Sequence, residues 1–181
     1  MVYVLLAPGF EEIEAIAPID LMRRAGLEVH TVAVSDNRLV TGSHGISVMT
    51  DLLASEVTTD GLQAVILPGG LPGTTNLEAD ATVQSLLDHA SSNGLVLGAI
   101  CAAPSVLGHK GLLCGKRAVC YPGFESALQG AIVDTEALCV IDGTVVTAKG
   151  AGAAVEFGLA LVKIMVSDAV SQKLREGIQC K

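Results

Sequence analysis

Cys101 lies at the centre of "GLVLGAICAAPSVLG", between an apolar run and a helical pattern that Pro104 opens. A strand that turns sharply into a helix is the setting that exposes the nucleophile in hydrolases of the nucleophile-elbow type. Proline is at home in the first helical turn, where its missing N–H would have had no partner. The helix N-terminus favours a thiolate, which is the reactive form of cysteine, so this context predicts a lowered thiol pKa. Ala99, Ala102 and Ala103 let the backbone bend and leave room for a substrate. The same small residues suit any packed strand-helix junction, and cysteine is often a buried, inert thiol. Both readings stand, with the position at a strand's carboxyl end weighing for reactivity.

Two further stretches carry polar groups to the same kind of place. "LPGG" at Leu67 to Gly70 offers backbone N–H groups that glycine could turn toward a developing oxyanion; a plain strand-to-helix turn is the alternative. "FEEIEAIAPID" puts Glu11, Glu12 and Glu14 in a first helical turn, where carboxylates suit the dipole. The helical spacing predicts Glu12 facing solvent and Glu14 turned inward. A carboxyl beside a thiolate would stay protonated and donate a hydrogen bond, because desolvation and the neighbouring charge both raise its pKa.

Other features read as structural. "GAGAAV" from Gly150 lacks the third glycine and the following acid of a dinucleotide site, and is expected to serve close helix packing. His30, His44, His89 and His109 have unrelated spacings and are expected at the surface or a boundary. Glu156, inside an apolar helical pattern, is expected to be exposed or hydrogen-bonded.

These groups are positioned by an alternation of strands and helices. "VYVLLAPGF" is a strand, "EEIEAIAPIDLMRRAG" a helix closed by Gly26, and "LEVHTVAV" the next strand. "LVTG" and "GISVMTD" look like a small hairpin or edge excursion. "LQAVILPGG", "DATVQSLLDHASSNG" and "LVLGAI" repeat the strand-helix-strand unit. "KRAVCYPG" follows, then "CVIDGTVVTA" with a hairpin turn at Asp142-Gly143, an apolar helix "AAVEFGLALVKIMV" and a polar helix from about Asp168 to Arg175. Strands without polar alternation, separated by helices, imply a mostly parallel sheet covered on both faces. The expected fold is an α/β, flavodoxin-like three-layer sandwich formed as one domain over residues 1–181.

Composition sets limits. A net charge of −8 with scattered Lys and Arg weighs against nucleic acid and anionic membrane surfaces. No basic leader or membrane-length apolar run is seen, so a cytoplasmic protein is expected. Five cysteines without a C-x-x-C pair predict reduced thiols and no structural metal.

Taken together, "PGFEEIEAIAPIDLMRRAG", "VILPGG", "AICAAP" and "KGAGAAVEFGLAL" closely resemble the ThiJ/PfpI superfamily, in particular its DJ-one branch of deglycases. The resemblance covers essentially the whole chain. It implies a flavodoxin-like fold, a homodimer and no cofactor. By motif position it implies that Cys101 is the reactive cysteine and Glu14 the glutamate hydrogen-bonded to it. Gly69 and Gly70, with the amide of Ala102, would form the backbone anion site. Arg24 matches an arginine near the dimer interface and the neighbouring active site. Tyr121 stands where many members carry a histidine before the proline, here Pro122, which weighs against a Cys-His-acid peptidase or amidase. The implied activity is a cysteine-dependent glyoxalase or deglycase acting on methylglyoxal, glyoxal or their early protein adducts. The alternative is a redox-sensing, chaperone-like protein whose Cys101 is oxidised to a sulfinate.

Overall fold

The computed structural model describes residues 1–180. The unbroken apolar runs become the inner strands of one sheet. The first third gives β1 (Val2–Leu6), α1 (Glu12–Arg24), β2 (Val29–Ala33), the hairpin β3 (Leu39–Thr41) and β4 (Ser47–Met49), and a short β5 (Leu52–Leu53). The middle gives β6 (Ala64–Leu67), α2 (Gly73–Ala79), α3 (Ala81–Ser92), β7 (Val96–Ile100) and α4 (Pro104–His109). The last third gives β8 (Arg117–Ala118), β9 (Ile132–Val133), β10 (Cys139–Asp142), β11 (Val145–Ala148), α5 (Ala154–Met165) and α6 (Asp168–Gly177).

Seven strands form the central sheet in the order β10-β11-β7-β6-β1-β2-β5, parallel throughout except for β10, which pairs antiparallel with β11. One face packs Leu77, Leu86, Leu87, Val106 and Leu107 from α2, α3 and α4. The other packs Ala15, Ile19, Met22, Phe157 and Leu161 from α1 and α5, with α6 residues Val170 and Leu174 against them. This is the three-layer α/β arrangement that the strand pattern implies. From β1 the chain moves to β2 on one side and later to β6 on the other. The carboxyl ends of β1 and β6 therefore flank a topological switch point, the place where open parallel sheets leave a crevice for ligands.

The structure differs from the sequence expectation in three places. Within "KRAVCYPG" only Arg117–Ala118 is a strand, and it pairs with β9 outside the main sheet. The helix α2, "GTTNLEA", has no clear signal in the sequence, because glycine and paired threonines are weak helix formers and seven residues show little periodicity. Glu12 is buried, not solvent-facing. Its Oε1 accepts the His44 N–H at 2.8 Å and the Ile46 N–H at 3.3 Å, and its Oε2 lies 3.0 Å from the His44 ring. A local helical pattern cannot reveal this burial, since the β3–β4 hairpin supplies it from thirty residues downstream.

The contact between α1 and α5 sets where α1 sits over the sheet. A Cβ added at Gly158 would lie 2.7 Å from Leu21 Cδ1 and 2.9 Å from Pro18 Cα. Gly158→Ala would gain up to about 1 kcal/mol in helix propensity, but overpacking costs about 1–3 kcal/mol and the Pro18 backbone cannot rotate away. The expected outcome is a net loss of about 1 kcal/mol in chemical denaturation; a stabilised variant would show that α1 is not held by this contact.

Candidate active site

Three strand ends meet at the switch point. After β1, Gly9 turns the chain into α1; after β6 come Pro68, Gly69 and Gly70; after β7 comes Cys101. Cys101 has φ +66°, a left-handed conformation that costs a non-glycine residue about 1–2 kcal/mol. Its backbone is held on both sides, its N–H donating to the Ala148 carbonyl at 2.9 Å and its carbonyl accepting the Tyr121 N–H at 2.8 Å. The elbow is thereby fixed to β11 on one side and to the segment after β8 on the other.

Glu14 enters from α1 and is 1% exposed. Pro18, one turn on, has no N–H to give the Glu14 carbonyl. The carboxyl Oε2 accepts the Gly69 N–H at 2.9 Å, and the carboxyl is hydrogen-bonded to the Cys101 thiol. A Cβ on Gly69 would fall 2.5 Å from Glu14 Oε2 and 2.6 Å from Cys101 Cβ. Only glycine there lets the two side chains meet.

Burial is the largest influence on both groups. It pushes the Glu14 carboxyl up to about 7, with the Cys101 and Gly69 hydrogen bonds working against it and the Glu11 charge adding to it. Burial, followed by the charge and hydrogen bond of Glu14, pushes the Cys101 thiol up to about 12, while the N–H groups of Ala102 and Gly70 act the other way. This corrects the expectation of a thiol pKa lowered by the following helix. That helix has only six residues, and its influence is outweighed by desolvation and a facing carboxylate. The pair holds two protons below about 7 and one above it, which rests mainly on the thiol, and a thiolate forms when that proton moves to Glu14.

The residues implied by the resemblance are distributed as follows. Cys101, Glu14, Gly69, Gly70 and Ala102 come together, but the Gly69 amide is committed to Glu14, leaving Gly70 and Ala102 facing the sulfur. Tyr121 adjoins the elbow, its ring half exposed. Arg24 lies at the far end of α1, about 15 Å along the helix from Glu14, and pairs with Asp20 at 2.7 Å. Glu156 is hydrogen-bonded as anticipated, to Arg175. The "GAGAAV" glycines do more than pack a helix, since Gly150 stands between the Tyr121 ring and Glu14. Leu138 and Lys149 flank the same opening and carry no signal in the sequence, because nothing local distinguishes them from ordinary hairpin residues. Among the described residues, Glu11, Glu12 and His44 are the three whose potential metal-ligating atoms cluster, and Glu12 there already accepts two backbone N–H groups.

A thiol and a carboxyl side by side, seated at the switch point of a parallel sheet, define a class of α/β protein with a cysteine at a strand-to-helix elbow. The chain belongs to the DJ-1/PfpI family, whose model matches residues 1–164. It is 34% identical over 177 residues to protein dj-1beta of Drosophila melanogaster, covering 97% of this chain and 94% of that protein. It is 36% identical over 163 residues to DJ-1 homolog B of Arabidopsis thaliana, covering 90% of this chain but only 37% of that longer protein. A Pyrococcus abyssi protein named as a deglycase is 35% identical over 153 residues, covering 83% of this chain and 90% of that protein. The solved structure of oxidized Toxoplasma gondii DJ-1 superposes with a TM-score of 0.93 at 34% identity, covering 98% of this chain and 97% of that one. No helix among the described residues is long and apolar enough to cross a membrane.

The Glu14 environment has a signed consequence for stability. The carboxyl titrates near 7 when folded against a reference value of 4.5, so between those values the folded state binds more protons than the unfolded. Stability therefore falls as pH rises through that window, and the full loss is present above it. Glu14→Gln removes the loss and is expected to be about 2–3 kcal/mol more stable than the parent at about pH 8, the two converging in acid. Urea unfolding at both ends of the window measures this, and equal stabilities in alkali would contradict a buried, raised carboxyl.

Proposed function

We propose that this protein is a cofactor-free, cysteine-dependent glyoxalase or deglycase acting on 2-oxoaldehydes such as methylglyoxal, or on their early adducts with protein thiols and amines. The observation that carries the reading is the meeting of the Glu14 carboxyl and the Cys101 side chain over Gly69, beside the amides of Gly70 and Ala102. The Pyrococcus abyssi relative named as a deglycase supports it at the level of the family.

With Glu14 protonated, the Cys101 thiolate adds to the aldehyde carbon and the carbonyl oxygen takes up the Glu14 proton, giving a hemithioacetal. Amides of Gly70 and Ala102 stabilise the developing oxyanion. The Glu14 carboxylate then removes the hydrogen of the first carbon as a proton, forming an enediolate, and returns it to the second carbon while the hydroxyl proton of the first carbon passes to the oxygen of the second. This leaves a 2-hydroxy thioester on Cys101, which water hydrolyses to the 2-hydroxy acid and the free thiol. The sum is oxoaldehyde plus water to hydroxy acid, with no net redox change. A carboxyl near 7 can both donate and accept a proton at neutral pH, as this relay requires.

Purified, reduced protein should convert methylglyoxal to lactate, with Cys101→Ser abolishing conversion and Glu14→Gln lowering kcat by about 10²–10⁴-fold. Absence of lactate from the reduced parent protein would overturn the reading. A second reading, oxidation of Cys101 to a sulfinate that changes a partner interaction, draws support from the oxidized state of the Toxoplasma gondii relative. It would stand if peroxide-treated but not reduced protein acted on a partner without turnover of aldehyde.

The reading includes a cytoplasmic homodimer. Ile13 and Ile16 on the outer face of α1, with Ile46 and Met49 of the neighbouring hairpin, are exposed apolar side chains whose burial a second copy would supply. Sedimentation should give twice the chain mass, and Ile13→Glu with Ile16→Glu should shift it toward the monomer.

A further inference from the structure

An open cavity of about 410 Å³ adjoins the Glu14–Cys101 crevice. Its walls include Tyr121, Pro122, Leu138, Gly150, Ala151 and Ala153. Two of its largest apolar surfaces are left uncovered, Leu138 at 55% and Tyr121 at 51% exposure. Lys149 also lines it, but the ammonium donates to the Thr135 carbonyl at 2.6 Å, so mainly its aliphatic stem is available to the cavity. No carboxylate lines it.

Its connection to the pair runs across Gly150. A Cβ there would lie 3.2 Å from Tyr121 Cδ2 and 4.0 Å from Glu14 Oε1. Gly150 therefore lies between the ring and the carboxyl, with no side chain of its own to separate them. Both walls are held to the elbow through the backbone, Tyr121 by its bond to the Cys101 carbonyl and the Ala148 end of β11 by its bond to the Cys101 N–H. The cavity is an apolar space much larger than a methyl group, and Gly150 on its wall lies next to the Glu14 carboxyl that faces Cys101.

We infer that this cavity is the subsite for the substituent on the ketone carbon, and that it selects branched or longer apolar 2-oxoaldehydes over methylglyoxal. Tyr121 and Leu138 are its specificity-determining walls. The inference rests on the oxoaldehyde reading above and adds to it which oxoaldehyde is preferred. Polyhydroxylated, sugar-derived aldehydes gain least here, since their hydroxyls would lose water against apolar walls. The overall conversion is unchanged: the oxoaldehyde and one water give the corresponding 2-hydroxy acid.

The experiment compares kcat/KM for glyoxal, methylglyoxal and isobutylglyoxal in the parent protein, Leu138→Ser and Gly150→Ala. Isobutylglyoxal presents the same reacting carbons as methylglyoxal with three more carbons for the cavity to cover, and partial burial of these is expected to favour it by about tenfold. Leu138→Ser should lower the isobutylglyoxal-to-methylglyoxal ratio about threefold or more. Gly150→Ala, whose backbone is extended and tolerates a side chain, should press on the Tyr121 ring and lower the same ratio. A parent ratio near one, or a ratio unmoved by both variants while glyoxal is still converted, overturns the subsite and leaves the glyoxalase reading standing. No turnover of any of the three overturns both.

Discussion

A buried carboxyl facing a half-buried thiol can keep only one negative charge between them, and the arrangement of the site depends on that constraint. Burial alone would neutralise both groups, and a charge on either discourages a charge on the other. What sustains a charge is a small set of backbone N–H groups, Gly69 to the carboxyl and Gly70 and Ala102 toward the sulfur. Those amides come from two loops on two strands. The helix carrying Glu14 approaches them from a third.

The fold supplies that convergence through close backbone approaches. Gly69 admits the carboxyl and the thiol to the same space, and Gly158 lets α5 press against α1 at Pro18 and Leu21. The buried Glu12 ties the start of α1 to the β3–β4 hairpin through two backbone N–H groups and the His44 ring. Although burial works to raise it, the His44 and Ile46 hydrogen bonds hold the Glu12 carboxyl down to about 2. Two glutamates two residues apart on one helix thus have opposite environments. Glu12 is a structural anion, while Glu14 is poised near neutrality. Donor count decides the difference: Glu12 has several groups donating to it, and Glu14 has one amide and a thiol.

Much of this architecture can be read along the chain. Inner strands announce themselves as apolar runs without alternation, Gly26 closes α1, and the Asp142-Gly143 turn joins β10 to β11. The inward turn of Glu14 follows from helical spacing. Legibility ends where a remote segment sets the environment. Burial of Glu12 comes from the hairpin, the raised thiol of Cys101 from its burial in the fold and then from a carboxylate on another element, and the wall formed by Leu138, Lys149 and Gly150 from the folding of β10 and β11 against β7. The helix-terminus expectation for Cys101 failed for a related reason. It weighed the one influence that is local in sequence, and two non-local ones are larger.

The left-handed backbone at Cys101 also bears on how this chain can change over evolutionary time. Glycine occupies φ +66° at no steric cost, so a mutation to glycine there would relieve about 1 kcal/mol or more of strain. Stability alone therefore pulls this position away from cysteine, and purifying selection on the sulfur has to oppose that pull in every generation. Descendants released from the chemistry would be expected to drift toward glycine, or toward asparagine, which also tolerates the left-handed region. The identity of residue 101 in a lineage is thus a record of whether the chemistry is still being used.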